Sequence, residues 1–123
     1  MVDFLTEQDV SGATVLEIGG GVGNLQIELL RRGALKTTNL ELSPAYEASA
    51  ASLLDETGMT GRAERRIHDI AADPDAVHPA DVVVLHKVVC CYPDYGRLLA
   101  AAAGHARRML VFSYPPDNPV SKA

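Results

Sequence analysis

Short apolar runs alternate along this chain with segments in which apolar residues recur every three or four positions. Residues 82–85, for example, read Val-Val-Val-Leu. An uninterrupted run of this length and composition is typical of a strand that is buried on both faces. Segments with helical spacing, such as residues 24–32, separate these runs. The pattern predicts five strands, at residues 14–18, 37–42, 63–68, 81–86 and 108–114.

Three helices are expected between the strands, while residues 69–77 form a short, turn-rich crossover. The second helix has the clearest limits, because Ser43 is a typical N-cap, Pro44 suits the first helical position and Gly58 follows the end. Strict alternation predicts an α/β fold whose mostly parallel sheet carries helices on both faces. The carboxyl ends of the strands then share one edge, where ligands bind. The predicted helices are residues 24–32, 44–57 and 94–106.

Composition narrows the possible classes of function. The chain has 123 residues, of which 47% are hydrophobic, so we expect a single domain with a packed core. Its net charge of −5, without a clustered basic patch, argues against a nucleic-acid partner. No apolar run approaches the ~20 residues that span a bilayer. Residues 1–12 lack Lys and Arg, unlike a signal peptide, so a cytoplasmic location is expected.

The cysteines and histidines do not indicate a metal site. Cys90 and Cys91 are adjacent, which disfavours a mutual disulfide and does not match a zinc-binding spacing. His68, His78 and His105 share no ligand spacing either, and we expect them at the surface. No metal is implied.

A glycine cluster follows the first predicted strand. Four glycines lie within five positions, immediately before the first helix, so backbone amides at a helix N-terminus are open to a nucleotide-type ligand. The dinucleotide pattern G-x-G-x-x-G fails, because its last position is Asn24 or Gln26 in the two possible registers. An NAD-dependent oxidoreductase is therefore the weaker alternative. The glycines are Gly19, Gly20, Gly21 and Gly23.

Together with Glu17, these glycines form the pattern E-x-G-x-G-x-G, which resembles the first motif of the class I S-adenosylmethionine-dependent methyltransferases. The resemblance implies a Rossmann-like fold, S-adenosylmethionine as cofactor, S-adenosylhomocysteine as product and methyl transfer as the activity. An acid beside the loop suits a ligand that carries an ammonium and a sulfonium rather than a pyrophosphate. The alternative is a glycine turn that only reverses a strand–helix unit.

The ends of the second and third strands supply further candidates for cofactor binding. Glu41 lies 18 residues after Gly23, about where a doubly wound fold places an acid on a ribose. A solvated strand-end acid is the alternative. The resemblance implies that Asp69 accepts from the adenine amino group, although Asp69 is also a suitable N-cap. Leu42 and Ile70 are expected to enclose the purine between apolar faces.

Residues 80–94 resemble the family segment that lines the methionine end of the cofactor. His86, at the end of the fourth strand, is the candidate cofactor contact and general base, because its pKa lies near neutrality. Its alternative is a strand-end histidine that only bonds the loop. Many relatives carry an acid and a histidine where this chain has Cys90 and Cys91, so no base is expected there. Residues 85–94 and 110–115 also resemble the magnesium-protoporphyrin O-methyltransferase-like group.

The resemblance covers residues 13–116, and the chain is shorter than the family pattern. Members usually add two strands that form an antiparallel hairpin beside the fifth strand. Here residues 115–119 contain three prolines, and we expect regular structure to end there. The fifth strand would then be an exposed edge, which favours a homodimer through that edge. We expect methyl transfer to a small-molecule acceptor, and the alternative is a catalytically silent cofactor-binding or interaction module.

Overall fold

The structure, a computed structural model, describes residue 5 and residues 9–86, 95–114 and 118–122. Within these ranges the chain forms six strands, three α-helices and three 3₁₀ turns. The helices are α1 (Asn24–Arg31), α2 (Glu47–Thr57) and α3 (Tyr95–His105). The strands are β1 (Thr14–Ile18), β2 (Lys36–Glu41), β3 (Ala63–Ile67), β4 (Ala80–His86), β5 (Ala106–Tyr114) and β6 (Asn118–Lys122).

The six strands form one sheet in the order β3-β2-β1-β4-β5-β6. The first five are parallel to one another, and β6 is antiparallel to β5. The α/β prediction with a mostly parallel sheet is therefore confirmed, with each predicted strand within two residues of its bounds. The chain leaves β1 toward β2 on one side and returns to β4 on the other, so a crevice opens at the carboxyl ends of β1 and β4.

Helices cover both faces of the sheet, as predicted. One core cluster joins Leu29 of α1 to Val15 of β1, and the other joins Leu98 of α3 to Leu16 of the same strand. Neighbouring residues of β1 thus face opposite layers, as the alternation of side chains along a strand requires. In β4 the four residues 82–85 are all fully buried, which explains their uninterrupted apolar run. None of the helices in the described part of the chain is long and apolar enough to cross a membrane.

The predicted limits of the second helix are close to those observed. Pro44–Tyr46 form a 3₁₀ turn, and the α-helix continues from Glu47. The Ser43 hydroxyl accepts from the amide of Ala45 at 3.2 Å, which satisfies one of the amides that a helix start leaves unpaired. Gly58 ends α2 with a φ of 72°, in the left-handed region that glycine adopts at low cost.

The expectation that regular structure ends at residues 115–119 is wrong. Residues 118–122 form β6, which pairs with β5 from Leu110 to Tyr114. A proline lacks only its own backbone N–H donor, so a short strand that pairs with β5 on one side can contain Pro119. The fifth strand is consequently an interior strand and not an edge, and the reason for a homodimer through that edge disappears. Of the two hairpin strands that the resemblance implies, the described residues contain one short antiparallel strand.

His105 also differs from expectation, because it is buried rather than at the surface. It ends α3, and β5 begins at the next residue. Its Nδ1 lies 2.7 Å from the carbonyl oxygen of Ala101, and its Nε2 lies 2.9 and 3.0 Å from those of Pro74 and Val77. The histidine thereby fastens the end of α3 to the crossover before β4. Pro74 and Val77 are distant from His105 along the chain, so spacing in the sequence does not reveal these contacts.

Candidate functional site

A cleft of about 330 Å³ lies at the carboxyl ends of the first three strands. Its walls are mostly apolar, and a carboxylate, an imidazole and a second carboxylate lie among them. Predicted residues from three separate places in the sequence therefore meet at one edge, as the parallel sheet requires. The lining residues are Ile18, Gly19, Leu40, Glu41, Leu42, His68, Asp69, Ile70 and Leu98.

The glycine loop passes from the end of β1 to the start of α1. The amide of Gly19 donates to the carbonyl of Leu40 at 2.7 Å, which continues the sheet pairing into the loop. Gly23 is the N-cap of α1, with a φ of 97° that only glycine adopts without strain, and no side chain caps the helix. The positive end of the α1 dipole therefore faces the loop, and its backbone amides can interact with a ligand bound there.

Two polar side chains of β2 hold the middle of the loop. The amide of Gly20 donates to Oδ1 of Asn39 at 2.9 Å, and the amide of Gly21 donates to Oε2 of Glu41 at 2.9 Å. Oε1 of Glu41 also accepts from the amide of Leu42 at 3.3 Å. Glu41 is only 9% exposed, so the reading as a solvated strand-end acid is excluded. It links the loop to the cleft.

Glu17 lies beneath the loop and is not among the residues that line the cleft. It is 2% exposed, and its Oε1 accepts from Nε2 of Gln26 at 2.9 Å. Glu17 faces the layer of α1 because it alternates with Leu16 and Ile18, which face the other layer. Burial raises the pKa of Glu17 to about 7, and the negative charge of Glu41 adds to the increase. Direct contact between Glu17 and a ligand remains a prediction.

A buried polar row, which was not predicted from the sequence, supports the loop. Glu17 of β1 is paired in register with Asn39 of β2, which is paired in turn with Arg65 of β3. Residues in register on parallel strands share a face, so the three side chains form one row under the loop. A signal was present in the sequence, because Thr37, Asn39 and Glu41 place polar residues at alternate positions of a predicted strand.

Close packing beneath the loop explains the identity of Gly20. A Cβ at this position would lie 2.5 Å from Oδ1 of Asn39 and 2.6 Å from both Nε2 of Gln26 and Oε1 of Glu17. Atoms held in a hydrogen-bond network cannot move away cheaply. Gly20 is therefore required by this close approach and not by its backbone dihedral angles.

The residues after β3 form the far wall of the cleft. Oδ1 of Asp69 accepts from the amide of Ala71 at 3.0 Å and stabilises the turn that follows β3. The helical part of the crossover begins only after Asp73, its N-cap, so the helix-capping role expected of Asp69 is not what the structure shows. Asp69 also lines the cleft. Ile70 is buried, whereas Leu42 is 56% exposed. Both residues line the cleft, and their role in enclosing a purine remains a prediction.

His86 is the last residue of β4, where its backbone pairs with Ser113 of β5. Its side chain lies outside the described part of the structure, as do residues 87–94 with Cys90 and Cys91. The roles of His86 as cofactor contact and general base therefore remain predictions. The position of β4 beside β1 does put the end of this strand next to the start of the glycine loop.

Comparison with known proteins identifies relatives of the whole chain. The model of the methyltransferase domain family matches residues 1–122. The ribosomal protein L11 methyltransferase of Edwardsiella ictaluri is 29% identical over 108 residues, which is 80% of this chain and 36% of that protein. The chain thus spans about a third of the length of this curated relative.

Solved structures show the same fold. An O-methyltransferase family protein from Burkholderia thailandensis superimposes with a TM-score of 0.79 and 26% identity, over 91% of this chain and 36% of that one. Magnesium protoporphyrin IX methyltransferase from Synechocystis, solved with bound S-adenosylhomocysteine, gives a TM-score of 0.77 over 90% of this chain and 51% of that one. The sequence identity to this second protein is only 23%, so the similarity shows a shared fold and nothing more.

Proposed function

The chain belongs to the methyltransferase domain family, and we propose that it binds S-adenosylmethionine and transfers the methyl group to a small-molecule acceptor. The observation that carries the proposal is the position of Glu41. Its carboxylate holds the glycine loop through the amide of Gly21 and lines the cleft between β2 and β3. Loop and cleft are thereby parts of one site. The silent cofactor-binding module differs from this proposal only in the absence of turnover.

The residues of the cleft fit the chemistry of this cofactor. Each carboxylate oxygen of Glu41 accepts one backbone hydrogen bond and has a further lone pair that two ribose hydroxyls can use. Leu42 and Ile70 offer apolar faces to an adenine ring, and Asp69 stands at the same wall. The cleft is open to solvent and has a mostly apolar lining with a few polar groups, as small-molecule sites have. It suits the nucleoside part of the ligand.

The charge around the loop distinguishes the methyl donor from a dinucleotide. Glu41 contacts the loop from one side, and Glu17 lies beneath it. A pyrophosphate at this loop would be repelled by the Glu41 carboxylate, and also by Glu17 once the pH exceeds its pKa of about 7, whereas a sulfonium and an ammonium would be attracted. We therefore expect calorimetry to show S-adenosylmethionine and S-adenosylhomocysteine binding in preference to NAD. Tighter binding of NAD would contradict the proposal.

Methyl transfer makes modest demands on the side chains of the enzyme. When bound, S-adenosylmethionine supplies a methyl group that its sulfonium already activates. The protein has to align donor and acceptor and to exclude water, which the apolar walls and the fixed loop serve. A base is needed only where the acceptor must lose a proton, and His86 at the end of β4 is our candidate for it. Release of S-adenosylhomocysteine with a panel of small hydroxyl-bearing acceptors would separate an enzyme from a silent module.

Replacing Glu41 by alanine tests the site directly. We expect the variant to bind S-adenosylhomocysteine about 10- to 150-fold more weakly, because charged hydrogen bonds contribute about 1.5–3 kcal/mol. The variant loses affinity for two reasons: it lacks the proposed contacts to the ribose, and it lacks the hydrogen bond that Glu41 accepts from the amide of Gly21. Titration calorimetry measures the affinity, and Glu56→Ala, which removes an exposed acid of α2, is the matched control. Unchanged affinity in Glu41→Ala would rule out the proposed ribose contact.

A further inference from the structure

We infer that Arg65, a buried arginine in the middle of β3, is a positioning residue that fixes the glycine loop for cofactor binding. This inference rests on the function proposed above, because it concerns how the same site is held. Arg65 does not line the cleft. It acts through the backbone of Gly21.

The contacts of Arg65 reach the loop from below. Its Nη2 donates to the carbonyl oxygen of Gly21 at 2.5 Å, and the same nitrogen lies 3.0 Å from Oε1 of Glu47. Its Nε lies 3.2 and 3.3 Å from the two oxygens of Glu47. The side chain is 8% exposed, so solvent competes little for these bonds. Glu47, in the first turn of α2, holds the guanidinium in place against the loop.

Gly21 is consequently held at both of its backbone polar groups. Glu41 of β2 accepts from the amide, and Arg65 of β3 donates to the carbonyl. A left-handed residue with a φ of 61° has several other conformations available when one of these bonds is lost. Without Arg65, the peptide that follows Gly21 can turn, and the amide then moves off Glu41. The carboxylate that we assign to the ribose would lose its fixed partner.

Neighbouring arginines cannot take over this role. Arg66 follows on the same strand but points to the opposite face, where its Nη1 donates to the carbonyl of Ala76 at 2.9 Å. Arg62 lies just before β3 and donates from Nη2 to the carbonyl of Ala34 at 2.6 Å. Each of the three guanidinium groups thus binds a different backbone carbonyl. Arg66 supplies a matched control for Arg65.

The test is calorimetric titration of S-adenosylhomocysteine into the full chain and its variants. We expect Arg65→Met to bind at least ~30-fold more weakly, Arg65→Lys to recover part of the loss, and Arg66→Met to stay within about twofold of the parent chain. Glu47→Gln should lose less than Arg65→Met, since it keeps the bond to Gly21. The double variant Arg65→Met/Glu47→Gln should bind no better than Arg65→Met. Recovery in the double variant would mean that Arg65 serves only to neutralise Glu47.

A spectroscopic readout separates positioning from general stability. The amide signal of Gly21 in a ¹H–¹⁵N spectrum should shift in Arg65→Met and stay in place in Arg66→Met. A lower melting temperature with unchanged affinity and an unmoved Gly21 signal would overturn the inference and leave Arg65 a structural residue. If the parent chain fails to bind S-adenosylhomocysteine, the proposed function and the binding role fall together. The Gly21 signal still decides whether Arg65 holds the loop.

Discussion

Replacing Gly20 by alanine is expected to destabilise the chain by about 3 kcal/mol and to abolish measurable binding of S-adenosylhomocysteine. The new methyl group would lie 2.5–2.6 Å from three polar atoms that belong to Asn39, Gln26 and Glu17. To make room, at least two buried hydrogen bonds under the loop must break or lengthen. Overpacking alone costs about 1–3 kcal/mol, and the disrupted polar network adds to it. Urea denaturation and calorimetric titration measure the two effects.

Gly61→Ala is the control for this substitution. A Cβ at Gly61 would meet nothing within 4 Å, so we expect its effect on stability to stay within about 0.5 kcal/mol. Both variants change one hydrogen into a methyl group, and they differ only in the surroundings. A Gly20→Ala chain as stable as the parent would show that the loop does not rest on this row of side chains.

The stability of the chain should fall between pH 4.5 and about 8 through the titration of Glu17. Burial raises its pKa in the folded chain from 4.5 to about 7, so the folded state holds the proton over a range in which the unfolded state has lost it. The contribution is fully present below pH 4.5 and is lost as the pH rises through 7. A shift of this size corresponds to about 3 kcal/mol.

The variant Glu17→Gln isolates this contribution from the other titrating groups. Glutamine keeps an oxygen that can accept from Gln26, but it has no proton to lose. We expect the unfolding free energies of parent and variant to converge near pH 5 and to separate at pH 8 in favour of the variant. Urea denaturation across this range measures the difference. A difference between Glu17→Gln and the parent that stays flat across this range would contradict the assignment.

The sequence predicted the parts of the fold that depend on local chemistry. Residues 82–85 are apolar throughout because strand β4 is covered on both faces, and Gly58 marks the end of α2 because the chain turns there through a left-handed residue. The glycine loop and Glu41 were found for the same reason, since both follow directly from strand ends.

The unpredicted features depend on partners that are distant along the chain. β6 forms because β5 presents unpaired backbone groups, and the three prolines of residues 115–119 gave no indication of it. His105 is buried because the carbonyls of Pro74 and Val77 lie opposite it. Nothing in the sequence distinguishes Arg65 from the adjacent Arg66, and only the register of β2 and β3 places Arg65 under the loop. In each case a strand or side chain forms hydrogen bonds with backbone groups that come close to it only when the chain is folded.

The residues around the cleft have a consequence for how such a chain can diversify. All of its lining residues except Leu98 fall between Ile18 and Ile70, and the supporting row extends from Glu17 to Arg65. Most of the residues that we assign to the methyl donor thus lie in one continuous stretch of the chain, residues 17–70. Apart from Leu98 and the end of β4, where His86 is our candidate cofactor contact, the rest of the chain can vary without disturbing how the proposed donor is held. New acceptor contacts can arise in that variable part of the chain while the proposed donor site stays unchanged.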